Sequence, residues 1–381
     1  MHLARKSLDS AASVACLWRK PDAAHGYSTG VSLHGHTWHS RECLDFVPRA
    51  LAQVPFAGGI VDGLSERRRR ECGLPITFQR AFWRPPLSAH AAYELEATQI
   101  REKLGLKPIV ALSDHDDLEA CADLRAIGIA VPYALEWTVP YHGTIFHLGI
   151  FNLPPDEARA MAAGMARYTA EPTPELLREL LAEIDALPDA LIVLNHPLSC
   201  ELRLERSVHA ALLQQFLRLH GARMHALEVN GLQPASDNRE VVRIAAETGL
   251  PLISGGDRHC LEPNANINLT NATSFAEFVN EVRRERISRV LFMPQYRDAI
   301  ATRYIEFISQ AVRTYPELPG RQRWTDRVFY EHERKGLLSM SEIWPEGVPI
   351  PIRGIISVFG FVATRRATLR MAFGQQSEIG A

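Results

Sequence analysis

The chain has 381 residues, of which 46% are hydrophobic and 23% are charged. This is the composition of an ordinary globular protein, long enough for one large domain with additional segments. The formal net charge of −2 argues against the strongly basic surface that a nucleic-acid-binding or anionic-membrane-binding protein would carry. The six cysteines are widely spaced and form no CxxC pair, which favours a reduced, cytoplasmic protein.

Both ends of the chain lack a targeting or membrane-spanning pattern. Residues 1–29 show no periodicity, and we interpret them as an N-terminal extension. The apolar stretch 11–18 is short and has no convincing cleavage site, so we expect no signal peptide. The apolar stretch 350–363 is interrupted by Arg353 and is too short for a membrane span. We expect it to form a buried strand or an amphipathic docking segment.

From residue 30 onward, short apolar runs alternate with helical patterns. The predicted strands are 30–33, 109–112, 129–135, 144–151, 190–194, 224–229, 250–253 and 290–293. The predicted helices are 88–104, 117–127, 174–187, 206–219, 237–248 and 273–286. Repeated strand–helix units imply a parallel sheet covered by helices, and continuous apolar strands indicate burial on both faces. About seven such units favour a barrel, whose chemistry lies at the carboxyl ends of the strands.

Two regions fit this series less well. Residues 55–86 contain an arginine run and several prolines, and we interpret them as an insertion that overhangs the mouth of the barrel. Residues 297–381 contain helical patterns at 299–312 and 327–338 and a proline-rich link at 344–351. The predicted organisation is therefore an extension (1–29), a barrel domain (30–296) and a C-terminal helical extension (297–381).

Histidines and carboxylates recur at or near the ends of the predicted strands. His34 and His36 follow the first strand and, being two residues apart, project from the same face. His115 lies between Asp114 and Asp116 at the end of another strand. The later strands supply Glu136, His147, His196, Asp257 and His259. Side chains at the ends of successive parallel strands converge at the mouth of a barrel, which is how a fold builds a site for several metal ions.

Taken singly, each of these residues is compatible with a purely structural role. Asp114 or Asp116 could cap the helix that follows them. Glu136 in an apolar strand needs a partner, which could be an arginine instead of a metal ion. His147 could be a core histidine with its hydrogen bonds satisfied. Only the ordered set as a whole favours a metal site.

As a set, these motifs resemble the PHP family, named after DNA polymerase and histidinol phosphatase, over about residues 30–295. The matching positions are His34 and His36 in an HxH motif, His115 in DHD, Glu136, His147 in HLG, His196 before a proline, and Asp257 and His259 in DxH. The resemblance implies a distorted TIM-like (β/α)7 barrel that holds two or three divalent ions. The mixed nitrogen and oxygen ligands suit Zn, Mn or Fe.

One position departs from the family pattern. Arg41 stands where the family usually has an aspartate ligand, and Glu42, one residue later, is the candidate replacement. His39 is a poorer candidate. The third metal position therefore stays open, while the other two are well supplied.

The resemblance implies hydrolysis of a phosphate ester, in a small phosphorylated metabolite or a nucleotide, by a metal-activated water. Glu136 would bridge two ions, and Asp257 would help to hold them close. Arg258, Arg203 or Arg41 would neutralise phosphate charge, with a structural ion pair as the alternative for Arg258. His196 or Asp114 would protonate the leaving group.

Two other functions stay open. An amidohydrolase-like enzyme also starts with HxH on a barrel, but many members bridge two ions with a carbamylated lysine, and this chain has no lysine between residues 107 and 335. A non-catalytic metal- or phosphate-binding protein is the other alternative. The expected partner is a small phosphorylated substrate, with neither a membrane nor a nucleic acid, and the sequence does not reveal the oligomeric state.

Overall fold

The computed structural model describes residues 12–44, 78–200 and 204–376, together with the isolated positions 63, 66, 69, 70, 202 and 379. Most of the predicted insertion at 55–86 lies outside these residues, and so does Arg203. The last part of the insertion is described, and it contributes a short strand.

The first sheet contains both parallel and antiparallel strand pairs. In spatial order its strands are β1 (Ala12–Cys16), β12 (Ser288–Phe292), β11 (Asn266–Thr270), β2 (Thr29–Ser32) and β5 (Lys107–Val110). β1 is parallel to β12 and β2 is parallel to β5, whereas β11 is antiparallel to both of its neighbours. β1 falls within the segment interpreted as an extension. Among the described strands it pairs with β12, at the far end of the predicted barrel region.

The second sheet carries the centre of the candidate site. In spatial order its strands are β10 (Leu252–Gly255), β9 (Ala226–Asn230), β8 (Leu191–Asn195), β7 (Thr144–Leu153) and β6 (Tyr133–Tyr141). β8, β9 and β10 are parallel, as predicted, but β7 is antiparallel to both β6 and β8. The expectation of a fully parallel sheet is therefore wrong here, because only two residues join β6 to β7 and a parallel crossover needs a dozen or more.

The two sheets meet through single backbone bridges close to the candidate site. One bridge joins Gly35, after β2, to Arg258, after β10, and the other joins His115, after β5, to Glu136 on β6. The described strands thus form separate ladders without one continuous closed ladder. The observed architecture is a mixed α/β fold.

Eight helices follow or precede these strands in the described part of the chain. They are α1 (Ala89–Gln99), α2 (Glu119–Ala126), α3 (Ala158–Ala170), α4 (Pro174–Ala186), α5 (Arg206–His220), α6 (Ala235–Thr248), α7 (Phe275–Asn280) and α8 (Ile300–Ala311). Their ends follow local chemistry: the Ser88 hydroxyl caps α1, and Thr173 caps α4 with Pro174 in the first turn. Gly249 ends α6 with φ of 70°, a conformation that glycine adopts at little cost.

A third, antiparallel sheet takes two of its strands from the region predicted as a C-terminal helical extension. Its strands are β14 (Gly336–Ser339), β13 (Val328–His332), β4 (Ala81–Trp83) and β3 (Glu42–Cys43). The helix predicted at 327–338 is therefore wrong. β13 pairs with β4, which lies far away in the sequence, and such distant pairing overrides a short local pattern.

The remaining C-terminal residues form α9 (Met340–Ile343), α10 (Ile350–Ala363) and α11 (Arg366–Phe373). The segment 350–363 is thus a helix and not a strand. In the described ranges, no helix combines the length and the apolar character needed to cross a membrane.

Candidate metal centre

Glu136 on β6 lies at the centre of the candidate site and is fully buried. Its Oε2 atom lies 2.9 Å from His34 Nε2, 3.4 Å from His36 Nε2 and 3.4 Å from His115 Nδ1. These three histidines come from the segments after β2 and β5, whose ends the bridge contacts hold beside β6. One carboxylate oxygen therefore faces three imidazoles.

The other oxygen of Glu136 faces a different set of side chains. Oε1 lies 3.0 Å from His196 Nε2 and 3.4 Å from His147 Nδ1. Asn195 Nδ2 also donates a hydrogen bond to Oε1, at 3.0 Å. A carboxylate whose two oxygens point at separate groups of imidazoles has the arrangement needed to bridge two cations.

Glu42 on β3 forms a second carboxylate centre beside the first. Its Oε2 atom lies 3.0 Å from His259 Nε2 and 3.4 Å from His115 Nε2, and Oε1 lies 3.7 Å from His36 Nδ1. The Ser40 hydroxyl donates to Glu42 Oε1 at 2.6 Å and fixes the carboxylate. The structure thus brings the predicted replacement ligand to the cluster.

Asp257, which follows β10, is the third carboxylate that lies close to the histidines. Its Oδ1 atom lies 3.3 Å from His36 Nε2 and 3.7 Å from His34 Nε2. Both Asp257 and His34 have positive φ, 55° and 61°, and the Asp257 amide donates to the His34 carbonyl at 2.7 Å. Non-glycine residues adopt this backbone conformation at a cost, and such strain concentrates at functional sites.

Three overlapping groups of side chains offer ligand atoms within 4.8 Å of one another. They are His34, His36 and Glu136; His115, Glu136 and His147; and His36, Glu42, His115 and His259. Ligand atoms bound to one ion at about 2.1 Å lie roughly 3.0–3.4 Å apart. The N···O distances of 2.9 Å, 3.0 Å and 3.4 Å in the cluster are close to this range. All three groups share residues, so any ions held there would be neighbours.

The centre contains buried polar atoms that nothing in the described protein satisfies. His34 Nε2, His36 Nε2 and Glu136 Oε2 are buried and have no hydrogen-bond partner among the described residues. They approach one another without the alignment of a hydrogen bond. Since an unsatisfied buried donor or acceptor costs about 1–3 kcal/mol, the three atoms fit a metal ion as their common partner.

The close packing of carboxylates and imidazoles in the cluster shifts their pKa values. Burial alone would raise the pKa of Glu136, but His34 and His115 hold it well below its ordinary value. Burial alone would lower the pKa of His196, but the Glu136 carboxylate raises it to about 9. Burial lowers the pKa of His36 to about 3, and neighbouring imidazoles contribute. The metal-free site therefore mixes carboxylates with protonated and neutral imidazoles.

Glu228 on β9 is a site residue that the sequence analysis missed. It is buried, and its Oε2 atom accepts a hydrogen bond from His34 Nδ1 at 2.7 Å. Its Oε1 atom accepts from the His196 amide at 3.2 Å and from Asn230 Nδ2 at 2.6 Å. When the His34 ring is neutral, its hydrogen bond to Glu228 keeps the proton on Nδ1 and leaves Nε2 as the lone-pair atom that faces the cluster. The available signal is a glutamate in an apolar strand, the same signal that identifies Glu136.

Arg258, a predicted phosphate-binding residue, lies in a buried ion pair. Its side chain is 2% exposed, and Nε lies 2.9 Å from Glu96 Oε1. The guanidinium also donates to the carbonyls of His36 at 3.0 Å and Cys260 at 3.2 Å. These contacts match the alternative of a structural ion pair, and Arg258 holds the strand end that carries Asp257.

The side chains of Asp114 and Arg41 contact residues outside the cluster. Asp114 accepts hydrogen bonds from the Thr37 amide at 2.5 Å and the Thr37 hydroxyl at 2.7 Å, and burial raises its pKa to about 6. Both of its oxygens thus fix the loop after His36, and its role as the proton donor stays a prediction. The Arg41 side chain is 56% exposed and lies 3.6 Å from Glu331 on β13. It does not replace the family's aspartate ligand.

Comparisons with known proteins give only distant likenesses. No family model matches the sequence, and no curated protein matches it significantly. A proposed metal-dependent phosphoesterase from Bifidobacterium adolescentis is 17% identical, with a TM-score of 0.33 over 51% of this chain and 91% of its own. A two-domain protein from Bacteroides vulgatus, containing a predicted PHP-like metal-dependent phosphoesterase, is 16% identical, with a TM-score of 0.37 over 55% of this chain and 61% of its own.

A third solved structure is an amidohydrolase from Chromobacterium violaceum. It is 16% identical, with a TM-score of 0.31 over 47% of this chain and 84% of its own. The solved structures similar to this chain thus include one described as a metal-dependent phosphoesterase and one described as containing a PHP-like phosphoesterase. At this level of similarity, the functional conclusion depends on the site itself.

Proposed function

We propose that the protein is a PHP-like hydrolase that uses divalent metal ions to cleave a phosphate ester. The observation that supports this most directly is the environment of Glu136, whose two oxygens face separate groups of imidazoles. On the Oε2 side, Oε2 itself and the Nε2 atoms of His34 and His36 lack hydrogen-bond partners among the described residues. A bridging carboxylate surrounded by neutral nitrogen ligands is typical of sites that hold two metal ions close together.

The charge of the cluster supports more than one ion. Four carboxylates, those of Glu42, Glu136, Glu228 and Asp257, lie within or directly behind the ring of histidines. Buried charges need compensation, and two divalent cations would balance the four negative charges when every imidazole is neutral. A third ion would leave a charge of +2, which matches a phosphate monoester dianion. We therefore favour three ions during phosphate binding.

The ligand sets follow the three groups of side chains. One ion would be held by His34, His36 and Glu136, and a second by His115, Glu136 and His147. The third would be held by Glu42 and His259, together with shared imidazoles. Mixed nitrogen and oxygen donors suit Zn, Mn or Fe, and such ions polarise a phosphoryl oxygen and provide a nucleophilic water at neutral pH.

Neighbouring side chains would orient these ligands and determine which of their atoms carry protons. Glu228 fixes the tautomer of His34, and Asn195 orients Glu136 through its Oε1 atom. His196 is 9% exposed, and with His147 it lines a small pocket at the edge of the cluster. It remains the predicted proton donor for the leaving group as well as a predicted ligand.

The fold that we propose is an open, distorted barrel. Strands β2 and β5–β10 would form its seven strands, and the single backbone bridges would join the first sheet to the second. The predicted boundaries 30–296 and 297–381 stay a proposal. The C-terminal part supports the site in one specific way, because β13 pairs with β4, and β4 pairs with the strand that carries Glu42.

Phosphate release from para-nitrophenyl phosphate tests this function. The wild-type protein should release phosphate when Mn²⁺ or Zn²⁺ is supplied, and His34→Ala/His36→Ala should lose both bound metal and activity. The control His25→Ala/His90→Ala changes two exposed histidines and should keep both. Turnover of an amide or a lactone without a phosphate ester would favour the amidohydrolase alternative. Retained metal without hydrolysis of any phosphomonoester or phosphodiester would favour the non-catalytic one.

A further inference from the structure

Helix α8 lies outside the predicted barrel domain, but one of its faces packs against a segment that carries candidate metal ligands. Arg303, Phe307 and Gln310 follow one another at intervals of four and three residues, so they lie on the same face of the helix. All three contact the ligand loop, which is defined as residues 257–262 and follows β10. A helix from the C-terminal region is therefore in direct contact with the metal centre's surroundings.

Two polar contacts attach the ligand loop to α8. Gln310 Oε1 accepts a hydrogen bond from the Leu261 amide at 2.8 Å. The Arg303 side chain is 3% exposed and donates to Glu262 Oε2, from Nε at 2.9 Å and from Nη2 at 2.7 Å. Its Nη1 atom also donates to the carbonyl of Gly231, which follows β9. Charge-assisted hydrogen bonds are among the stronger ones in proteins, and these fix the position of the loop relative to the helix.

Phe307 lies between these two contacts on α8 and packs against the imidazole of His259. The two rings are 5.8 Å apart between centroids at an interplanar angle of 83°, which is the favourable edge-to-face arrangement. Trp83 of β4 lies 6.4 Å from His259 at 25°, and its ring is 5.8 Å from that of Phe307. The His36 ring lies 4.2 Å from His259 at 24°. Three rings thus restrict the orientation of the His259 imidazole.

The hydrogen bond of His259 determines which of its nitrogens is available to a metal ion. Nδ1 lies 2.8 Å from the Asp257 carbonyl, so the neutral ring carries its proton on Nδ1 and leaves Nε2 facing Glu42 Oε2 at 3.0 Å. Glu42 lies on β3, which pairs with the strand that carries Trp83. His259 and Glu42, the two residues particular to the third proposed ion, are therefore supported by β4 and α8. Ligands of the other two ions lie on or after strands of the two large sheets.

We propose that Phe307 is a positioning residue that holds His259 for the third ion, so that α8 controls how many ions the site takes. This inference rests on the proposed metal-dependent function. Phe307→Leu keeps an apolar side chain but removes the ring edge beside the imidazole, which leaves His259 free to turn away from Glu42. The affinity of the third ion should fall about 10–100-fold, as it does when other residues that orient a ligand are removed. The other two ions should bind as before.

Titration of Mn²⁺ into the full-length protein in the presence of inorganic phosphate tests the proposal. Calorimetry measures the affinities, and anomalous diffraction at limiting Mn²⁺ assigns them to individual sites. The wild type should bind three ions, and Phe307→Leu should fill two sites normally and the site beside Glu42 only at higher Mn²⁺ concentration. Gln310→Leu, which removes the acceptor for the Leu261 amide, should act in the same direction and decides the outcome if the first variant does not fold. The control Phe373→Leu changes an aromatic side chain that is 50% exposed and should bind all three ions normally.

The loss of one ion alone is a result that a merely structural role would not give. A lower melting temperature of metal-free Phe307→Leu with all three affinities unchanged would overturn the proposal, and so would an equal loss at every site. A wild-type protein that binds only two ions with phosphate present would also overturn it, while the two-metal hydrolase would stand. A wild type that binds no ion within the ring of histidines would refute the proposed function as well.

Discussion

Replacing Glu228 by glutamine tests how the site sets the tautomer of His34. The carboxylate accepts hydrogen bonds from His34 Nδ1 at 2.7 Å, from the His196 amide at 3.2 Å and from Asn230 Nδ2 at 2.6 Å. A glutamine has one oxygen and one NH₂ group, so in either orientation a donor faces a donor. If the NH₂ group faces His34, Nδ1 must accept and the proton moves to Nε2, the atom that faces Glu136.

The expected loss follows from these contacts. Removing the partner that orients a ligating histidine usually weakens metal binding about 10–100-fold, or about 1.4–2.8 kcal/mol. One hydrogen bond to a charged group is worth about 1.5–3 kcal/mol, which gives the same range independently. Isothermal titration of Mn²⁺ into metal-free protein measures the change. Glu179→Gln, on the exposed face of α4, is the matched control. Wild-type affinity in a folded Glu228→Gln variant would refute the reasoning.

Three further predictions concern the same region. Gly255→Ala should weaken metal binding as Glu228→Gln does, because the added Cβ atom would lie 1.8 Å from the Glu228 carboxylate. Gly221→Ala is the control, since its Cβ atom would meet nothing closer than 3.8 Å. Equal metal affinities of these two variants in calorimetry would contradict this prediction. Glu96→Gln should lower the free energy of unfolding in urea by about 3–5 kcal/mol, because it leaves the buried charge of Arg258 uncompensated. A decrease of less than about 1 kcal/mol would show that the Glu96–Arg258 ion pair is dispensable. Metal-free protein should lose stability as the pH rises from about 6.5 to about 9, because His196, whose pKa is raised to about 9, stabilises the fold only while its imidazole is protonated. Metal affinity should rise over the same pH range, because histidine ligands must be neutral to bind a metal ion. Flat thermal-melting and calorimetric profiles between these pH values would contradict the last prediction.

Much of the site could be predicted from the sequence because each ligand candidate lies next to a recognisable strand. His34, His36 and Glu136 follow or lie within apolar runs, and the structure places the Nε2 atoms of both histidines within 3.4 Å of the Glu136 carboxylate. Glu228 could have been identified in the same way as Glu136, since it is the one acidic residue in an apolar strand. Its role as the acceptor for His34 depends on which strands are neighbours, which no local pattern reveals.

Where the structure differs from what the local sequence pattern indicates, the cause is contact with residues that lie far away in the sequence. Arg258 is adjacent in sequence to two ligand candidates, but its guanidinium turns towards Glu96 on α1. The pattern over 327–338 predicts a helix, but these residues form β13 and β14 because their partner β4 lies elsewhere in the chain. A parallel β7 is excluded because the two-residue connection after β6 permits only a hairpin.

The most direct test of the metal centre is anomalous diffraction from crystals soaked in Mn²⁺. The proposal predicts at least two strong peaks, one on each side of the Glu136 carboxylate, and a third beside Glu42 and His259 when phosphate is present. The Glu136→Gln variant should lose the paired peaks, because an amide offers one oxygen in place of two. Wild-type crystals without a peak inside the ring of histidines, at Mn²⁺ concentrations that label other sites, would contradict the proposed metal centre.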